Sequence, residues 1–125
     1  MSHKEPRLTS PDLISALSRL RFRYATEKDL QDGIEKVFRE GDISFIREYE
    51  ISSSDRLDFL VAGGIALEVK IKGSLPELVR QIARYARHED IQEVLVVGTP
   101  RWIPQVPAAI EGKPVYALRL VGSLL

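Results

Sequence analysis

The chain has 125 residues, with 18 basic and 18 acidic side chains, a formal net charge of zero, two His and no Cys. A chain of this length buries roughly two thirds of its surface on folding, so a single domain spanning residues 1–125 is expected. The charge balance leaves no global field to hold a polyanion. The absence of Cys removes thiolate catalysis, disulfides and Cys-ligated metal, so a metal here must sit on oxygen ligands. The start MSHKEPRLTS is polar rather than a signal sequence, and no run approaches the ~18 apolar residues of a membrane span. A cytoplasmic protein without a membrane partner is expected.

Residues 1–9 read as a flexible tail. Ser10-Pro11-Asp12 reads as an N-cap with Pro in the first turn, opening a helix to about Arg21 with Leu13, Ile14, Leu17 and Leu20 as its apolar stripe. A second helix starts at the N-cap Thr26, carries Leu30, Ile34, Val37 and Phe38 at helical spacing, and stops at Gly41. The period then falls from 3.6 to 2. A strand is predicted near Ile43–Ile51, followed by Leu57, Phe59 and Val61 alternating with Arg56, Asp58 and Leu60, and by Ile65, Leu67, Val69 and Ile71 alternating with Ala66, Glu68, Lys70 and Lys72.

Ala62-Gly63-Gly64 joins the last two runs, and its length decides which faces match. A two-residue turn would set Phe59 against Glu68. A three-residue connection, or an equivalent bulge, opposes Leu57 to Val69, Phe59 to Leu67 and Val61 to Ile65, giving one apolar face and setting Asp58 across from Glu68 on the other. Ser74-Leu75-Pro76-Glu77 then has the form of a capping box, opening a helix with the stripe Leu78, Val79, Ile82, Ala83 and Ala86. Val94–Val97 is a short apolar run suited to a strand covered on both faces. Pro100, Pro104 and Pro107 interrupt the next segment, and Pro114 precedes a last strand, Val115–Val121. The order predicts a mixed sheet with helices packed on it.

Two carboxylates face to face on neighbouring strands repel each other, more so when partly buried. A hard divalent cation between Asp58 and Glu68 would offset that repulsion, and Lys70, two residues on, projects from the same face as Glu68. A metal that activates water beside a lysine that stabilises phosphate charge is an arrangement for phosphodiester hydrolysis. The plain alternative is that Lys70 and Arg56 pair with the carboxylates on a solvated sheet face. Of the acids on the second helix, Glu27 shares the arc of the apolar stripe and points at the sheet, while Glu35 turns toward solvent. Arg80, Arg84 and Arg87 line the polar side of the third helix, where they could meet a phosphate backbone or simply water. The densest basic and aromatic cluster is Arg19, Arg21, Phe22, Arg23 and Tyr24, which could touch DNA or cover the core. His3 and His88 are not candidates for catalysis, and Trp102 reads as packing.

Asp58, followed ten residues later by Glu68-Val69-Lys70, resembles the D...(D/E)-x-K signature of the PD-(D/E)XK nuclease superfamily, which includes restriction enzymes, Holliday-junction resolvases and phage exonucleases. Leu57 stands where that family's Pro would be. The order of elements from about residue 26 to 97 is similar to the family core, and Gln81-Ile82-Ala83-Arg84-Tyr85 is similar to a Q-x-x-x-Y element that some members carry on the next helix. The resemblance implies an α/β fold with a restriction-endonuclease-like mixed β-sheet flanked by helices. It implies metal ligation by Asp58, Glu68 and the Val69 carbonyl, with Lys70 as the catalytic lysine, Glu27 as the helical acid, and Gln81 and Tyr85 in support.

The expected function is therefore hydrolysis of DNA phosphodiester bonds with Mg²⁺ or Mn²⁺. Phosphate contacts would come from Arg80, Arg84, Arg87, Lys72 and Arg56. The small size favours recognition of DNA structure over a long sequence, and a homodimer would supply two sites for two strands. The alternative from another class is a non-catalytic module of the same fold that binds nucleic acid or protein.

Overall fold

The computed structural model describes residues 8–19 and 25–121. Helix α1 spans Ser10–Ser18, and its cap sits one residue earlier than the sequence suggests. Thr9 is the extended N-cap residue, and the Asp12 carboxylate accepts from both its N–H and its hydroxyl, each at 2.9 Å. Ser10 is instead buried and donates through Oγ, at 2.8 Å, to Glu93 Oε1. A hydroxyl that finds a carboxylate elsewhere in the fold is withdrawn from local capping. Leu13 and Leu17 are fully buried, as their spacing requires, and Leu20 lies outside the described residues.

Helix α2 spans Glu27–Glu40, with Thr26 Oγ1 accepting the Asp29 N–H at 3.1 Å and Leu30, Ile34 and Phe38 fully buried. Strands β1 (Phe45–Glu50), β2 (Arg56–Val61) and β3 (Ile65–Lys70) form an antiparallel meander, and helix α3 (Leu75–Ala86) crosses over to β4 (Glu93–Gly98), parallel to β3. After a 3-10 turn at Ile103–Gln105 come β5 (Ala109–Ile110) and β6 (Lys113–Arg119). The sheet order is β1-β2-β3-β4-β6-β5, with β6 parallel to β4 and antiparallel to β5. The chain is thus an α/β protein with a six-stranded mixed sheet flanked by helices. Among the described residues no helix is long and apolar enough to cross a membrane.

The connection Ala62–Gly64 has the predicted three residues. Val61 pairs with Ile65, Phe59 with Leu67, and the Gly64 N–H donates to the Val61 carbonyl at 3.1 Å. Gly63 and Gly64 both have φ of 85°, which a side chain rarely tolerates.

The predicted single apolar face is not continuous, however. Phe59, Val61, Ile65, Leu67 and Val69 join α1 and α2 in one core, whereas Leu57 joins α3 in the other, with Tyr49 packed against it. The cause lies in β1. Glu48 has φ of 54° and sits between the pairs Arg47↔Phe59 and Tyr49↔Leu57, so both strands turn over at this point. A left-handed residue inside a strand defeats the period-2 rule by which faces are assigned.

A second departure is the short hairpin β5–β6. Its turn, Glu111-Gly112, has positive φ at both residues (51° and 73°), as a two-residue hairpin turn needs, although Glu is not among the residues that usually announce one. The last strand accordingly starts at Lys113 rather than Val115.

The first core is centred on Phe38, Phe45 and Phe59, whose ring centroids lie 5.7–5.8 Å apart in tilted and edge-on contacts. β4 is buried on both sides between β3 and β6. At its end β3 comes so near that a Cβ on Gly98 would meet the Lys70 carbonyl oxygen at 2.2 Å. Gly98→Ala should therefore push the ends of β3 and β4 apart and cost about 1–3 kcal/mol, read from urea unfolding midpoints. An unchanged midpoint would show that the strands separate without penalty.

Candidate active site

The β2–β3 ladder runs from Val61↔Ile65 to Phe59↔Leu67 and stops one step short of Asp58 and Glu68. There the Asp58 side chain takes the place of the partner backbone: its Oδ2 accepts the Val69 N–H at 2.7 Å. A strand residue's N–H and C=O project to the same edge, so the Val69 carbonyl faces the gap opened beside Asp58. The face inversion at Glu48 and Leu57 and this opening occur at the same level of the sheet, next to the acidic pair.

Glu68 points to the α3 side and is 2% exposed. The Tyr85 hydroxyl lies 2.9 Å from the Arg56 carbonyl and 3.4 Å from Glu68 Oε2, and Gln81 Nε2 donates to it at 2.7 Å. Its single proton is better placed for Arg56 than for Glu68. Lys70 Nζ stands 3.8 Å from Glu68 Oε2, and Glu68 Oε1 is buried without a hydrogen-bond partner. Burial first, then the neighbouring Asp58 carboxyl and the charge of Glu27, push the Glu68 pKa well above the usual carboxylate value, against the pull of Lys70. Burial and the charge of Glu68 likewise push the Tyr85 phenol up.

The rotation of α2 agrees with its stripe for Glu27, whereas Glu35, expected to turn toward solvent, is only 28% exposed and reaches Arg47 on β1. Glu27 Oε1 accepts the Ile71 N–H at 3.4 Å at the end of β3, while Glu35 meets Arg39 (3.3 Å) and Arg47 (3.7 Å). Tyr85 is 2% exposed. The structure thus places Asp58, Lys70 and Tyr85 beside Glu68, with Gln81 reaching it only through Tyr85 and Glu27 standing at the end of β3 on the Ile71 amide.

It does not gather the basic residues there in the same way. Arg84 pairs with Asp55 (3.0 Å), Arg87 with Glu111 (3.3 Å) and Arg56 with Glu50 (3.1 Å). Arg80 and Lys72 are exposed and have no acidic partner among the described residues. Arg19 is exposed, and the rest of its cluster, Arg21, Phe22, Arg23 and Tyr24, lies outside the described residues, as does His3. Trp102 packs against the α3 core and donates through Nε1 to the Gly73 carbonyl at 3.2 Å.

Sequence reading passes over Asp55. It is 8% exposed, binds Arg84, lies 3.5 Å from His88 Nε2, and its carbonyl accepts the Ile51 N–H at 3.0 Å. It ties the β1–β2 turn to α3 and so holds Arg56 where Tyr85 reaches it. The run Ser52-Ser53-Ser54 marks a turn, since Ser52 Oγ accepts the Asp55 N–H at 3.1 Å, but nothing local shows that the Asp is buried.

Whether a divalent cation fits can be judged from the donors. An orphaned buried oxygen of Glu68, a second carboxylate at Asp58 and the Val69 carbonyl edge are hard oxygen donors around one gap. Among the described residues no group of three or more His, Cys, Asp or Glu side chains is placed to share an ion. Such a sparse set suits Mg²⁺, which is held by one or two carboxylates and keeps waters or takes phosphate oxygens for its other positions.

Comparison with known proteins finds no family model, no curated protein and no solved structure that matches the chain.

The raised Glu68 pKa makes a prediction about the metal-free protein. Folding raises this group's proton affinity, so its contribution to stability is complete below the unfolded value and is lost as pH rises toward the folded one. Glu68→Gln removes the titration. In EDTA the variant should melt above the wild type at mildly alkaline pH, with the gap closing as pH falls. A variant that melts lower at alkaline pH would show that the ionised carboxylate is stabilised by its surroundings.

Proposed function

We propose that this chain is a divalent-metal-dependent deoxyribonuclease of the PD-(D/E)XK type, with a restriction-endonuclease-like core. The observation that carries the reading is the buried, partnerless Glu68 oxygen beside Asp58, with Lys70 at the same opening. An ionised carboxylate buried in this state costs stability unless a cation or donor compensates it; Oε1 has no donor among the described residues, and the neighbouring Asp58 carboxyl favours a proton on Glu68 rather than its charge. An antiparallel meander, a helix and a parallel strand agree with the architecture that the resemblance implies.

In this reading Asp58, Glu68 and the Val69 carbonyl hold Mg²⁺ or Mn²⁺, which when bound supplies an activated water and neutralises phosphate charge. Lys70 offers its ammonium, on a side chain 22% exposed, to the phosphate at the mouth of the site. Gln81 and Tyr85 orient Glu68 from α3. Glu27 fixes the end of β3 through Ile71 and adds negative charge to the field at Glu68. The substrate is DNA, selected by structure rather than by a long sequence.

Labelled single-stranded, duplex, flap and four-way DNA incubated with Mg²⁺ or Mn²⁺ tests this reading. At least one substrate should be cut, and EDTA should stop the reaction. Asp58→Asn and Lys70→Ala should each lose about 10² or more in rate, the size of a single lost electrostatic contact to a transition state. Glu27→Gln should lower cleavage strongly and Glu35→Gln little. Equal cleavage in EDTA, or a fully active Lys70→Ala enzyme, would contradict the assignment; binding of DNA without cleavage by the wild type would favour the non-catalytic module.

A further inference from the structure

Cations that are far apart in the sequence meet at the carboxyl ends of the three parallel strands. Lys70, Gly98 and Arg119 occupy one row across β3, β4 and β6. The ends are stitched together: the Thr99 N–H donates to the Lys70 carbonyl at 3.1 Å, Thr99 Oγ1 to the Ile71 carbonyl at 3.3 Å, and the Leu120 N–H to the Gly98 carbonyl at 2.8 Å. Arg119 Nε donates to the Thr99 carbonyl at 3.1 Å, which draws the guanidinium off its own strand and across the end of β4. Its Nη nitrogens have no partner among the described residues.

Lys72 follows β3 and Arg101 follows β4; both are exposed and have no acidic partner among the described residues. The Trp102 bond to Gly73 pins the Arg101 loop against the segment that carries Lys72. The sequence adds a sign asymmetry that the zero net charge conceals. No acidic residue occurs from Val94 to Ile110, or from Gly112 to Leu125. The α3 arginines, by contrast, are largely answered by Asp55 and Glu111.

Ligands of open α/β sheets gather at the carboxyl ends of parallel strands, and an unopposed row of Lys and Arg selects phosphate. Two strand spacings separate Lys70 from Arg119, on the order of 10 Å, which is the scale of neighbouring phosphates along a DNA strand. We infer that the rim formed by Lys72, Arg101 and Arg119, rather than the arginine stripe of α3, carries the phosphate backbone of a DNA strand leading away from Lys70. The inference rests on the nuclease reading for the identity of the polyanion, and it adds Arg101 and Arg119 while displacing Arg84 and Arg87.

The test is anisotropy titration of labelled single-stranded and duplex oligonucleotides over a range of salt, with Ca²⁺ replacing Mg²⁺, alongside cleavage in Mg²⁺. The triple variant Lys72→Ala/Arg101→Ala/Arg119→Ala should weaken binding about tenfold or more at low salt and flatten the log K against log salt slope for single strands by about 2, at ~0.7 per lost phosphate contact. Arg101→Ala alone breaks no bond seen in the structure and should flatten it by ~0.7. Arg84→Ala/Arg87→Ala should change the slope less than the triple variant, and Lys36→Ala on α2 should match the wild type. Wild-type affinity and slope in the triple variant, or a larger loss in the α3 pair, would overturn the rim while leaving the nuclease reading intact if cleavage persists. A wild type that neither binds nor cuts DNA would overturn both.

Discussion

Everything at this site turns on where Glu68 lies. β3 is the middle strand between the antiparallel and parallel parts of the sheet, and Ala66 and Glu68 face the core under α3 while Leu67 and Val69 face the core under α1 and α2. A position buried on that strand is suited to an aliphatic side chain. A carboxylate there carries a desolvation cost that the fold meets only in part, through Lys70 at 3.8 Å and a Tyr85 hydroxyl already engaged with Arg56. With the Asp58 carboxyl beside it, Glu68 holds its proton more firmly than an ordinary carboxylate does, and ionising it there calls for added positive charge.

The surrounding structure keeps that carboxyl pair in place rather than letting it relax. Asp58 is held by the Val69 amide, Tyr85 by Gln81 and the Arg56 carbonyl, and the β1–β2 turn by the Asp55–Arg84 pair. The left-handed Glu48 turns the outer strands over at the same level. Backbone strain and a buried carboxyl pair that ionises only at a cost, in one place, fit the pattern in which stability is given up for function.

Much of this was legible in the sequence because the relevant signals are local. The stripe of Leu30, Ile34 and Phe38 fixed the rotation of α2 and hence the placing of Glu27 at the end of β3, and the matching of apolar faces selected the three-residue connection that sets Asp58 near Glu68. The features that escaped were decided by tertiary context. A Glu in the left-handed region at position 48, a buried Asp55 after a serine run, and a Glu-Gly hairpin turn have no composition that announces them. The cation rim escaped for another reason: Lys72, Arg101 and Arg119 become neighbours only through the β3-β4-β6 strand order.

The central claim is that the Asp58 and Glu68 pair is completed by a divalent cation. Its most direct test is calorimetric titration of Mn²⁺ into the metal-free protein, in two buffers of different ionisation enthalpy. Binding should release protons, because burial and Asp58 raise the proton affinity of Glu68 while ligation favours its ionised form, and should be lost in Asp58→Asn. No binding at millimolar Mn²⁺, or binding to Asp58→Asn with unchanged affinity, would contradict the account.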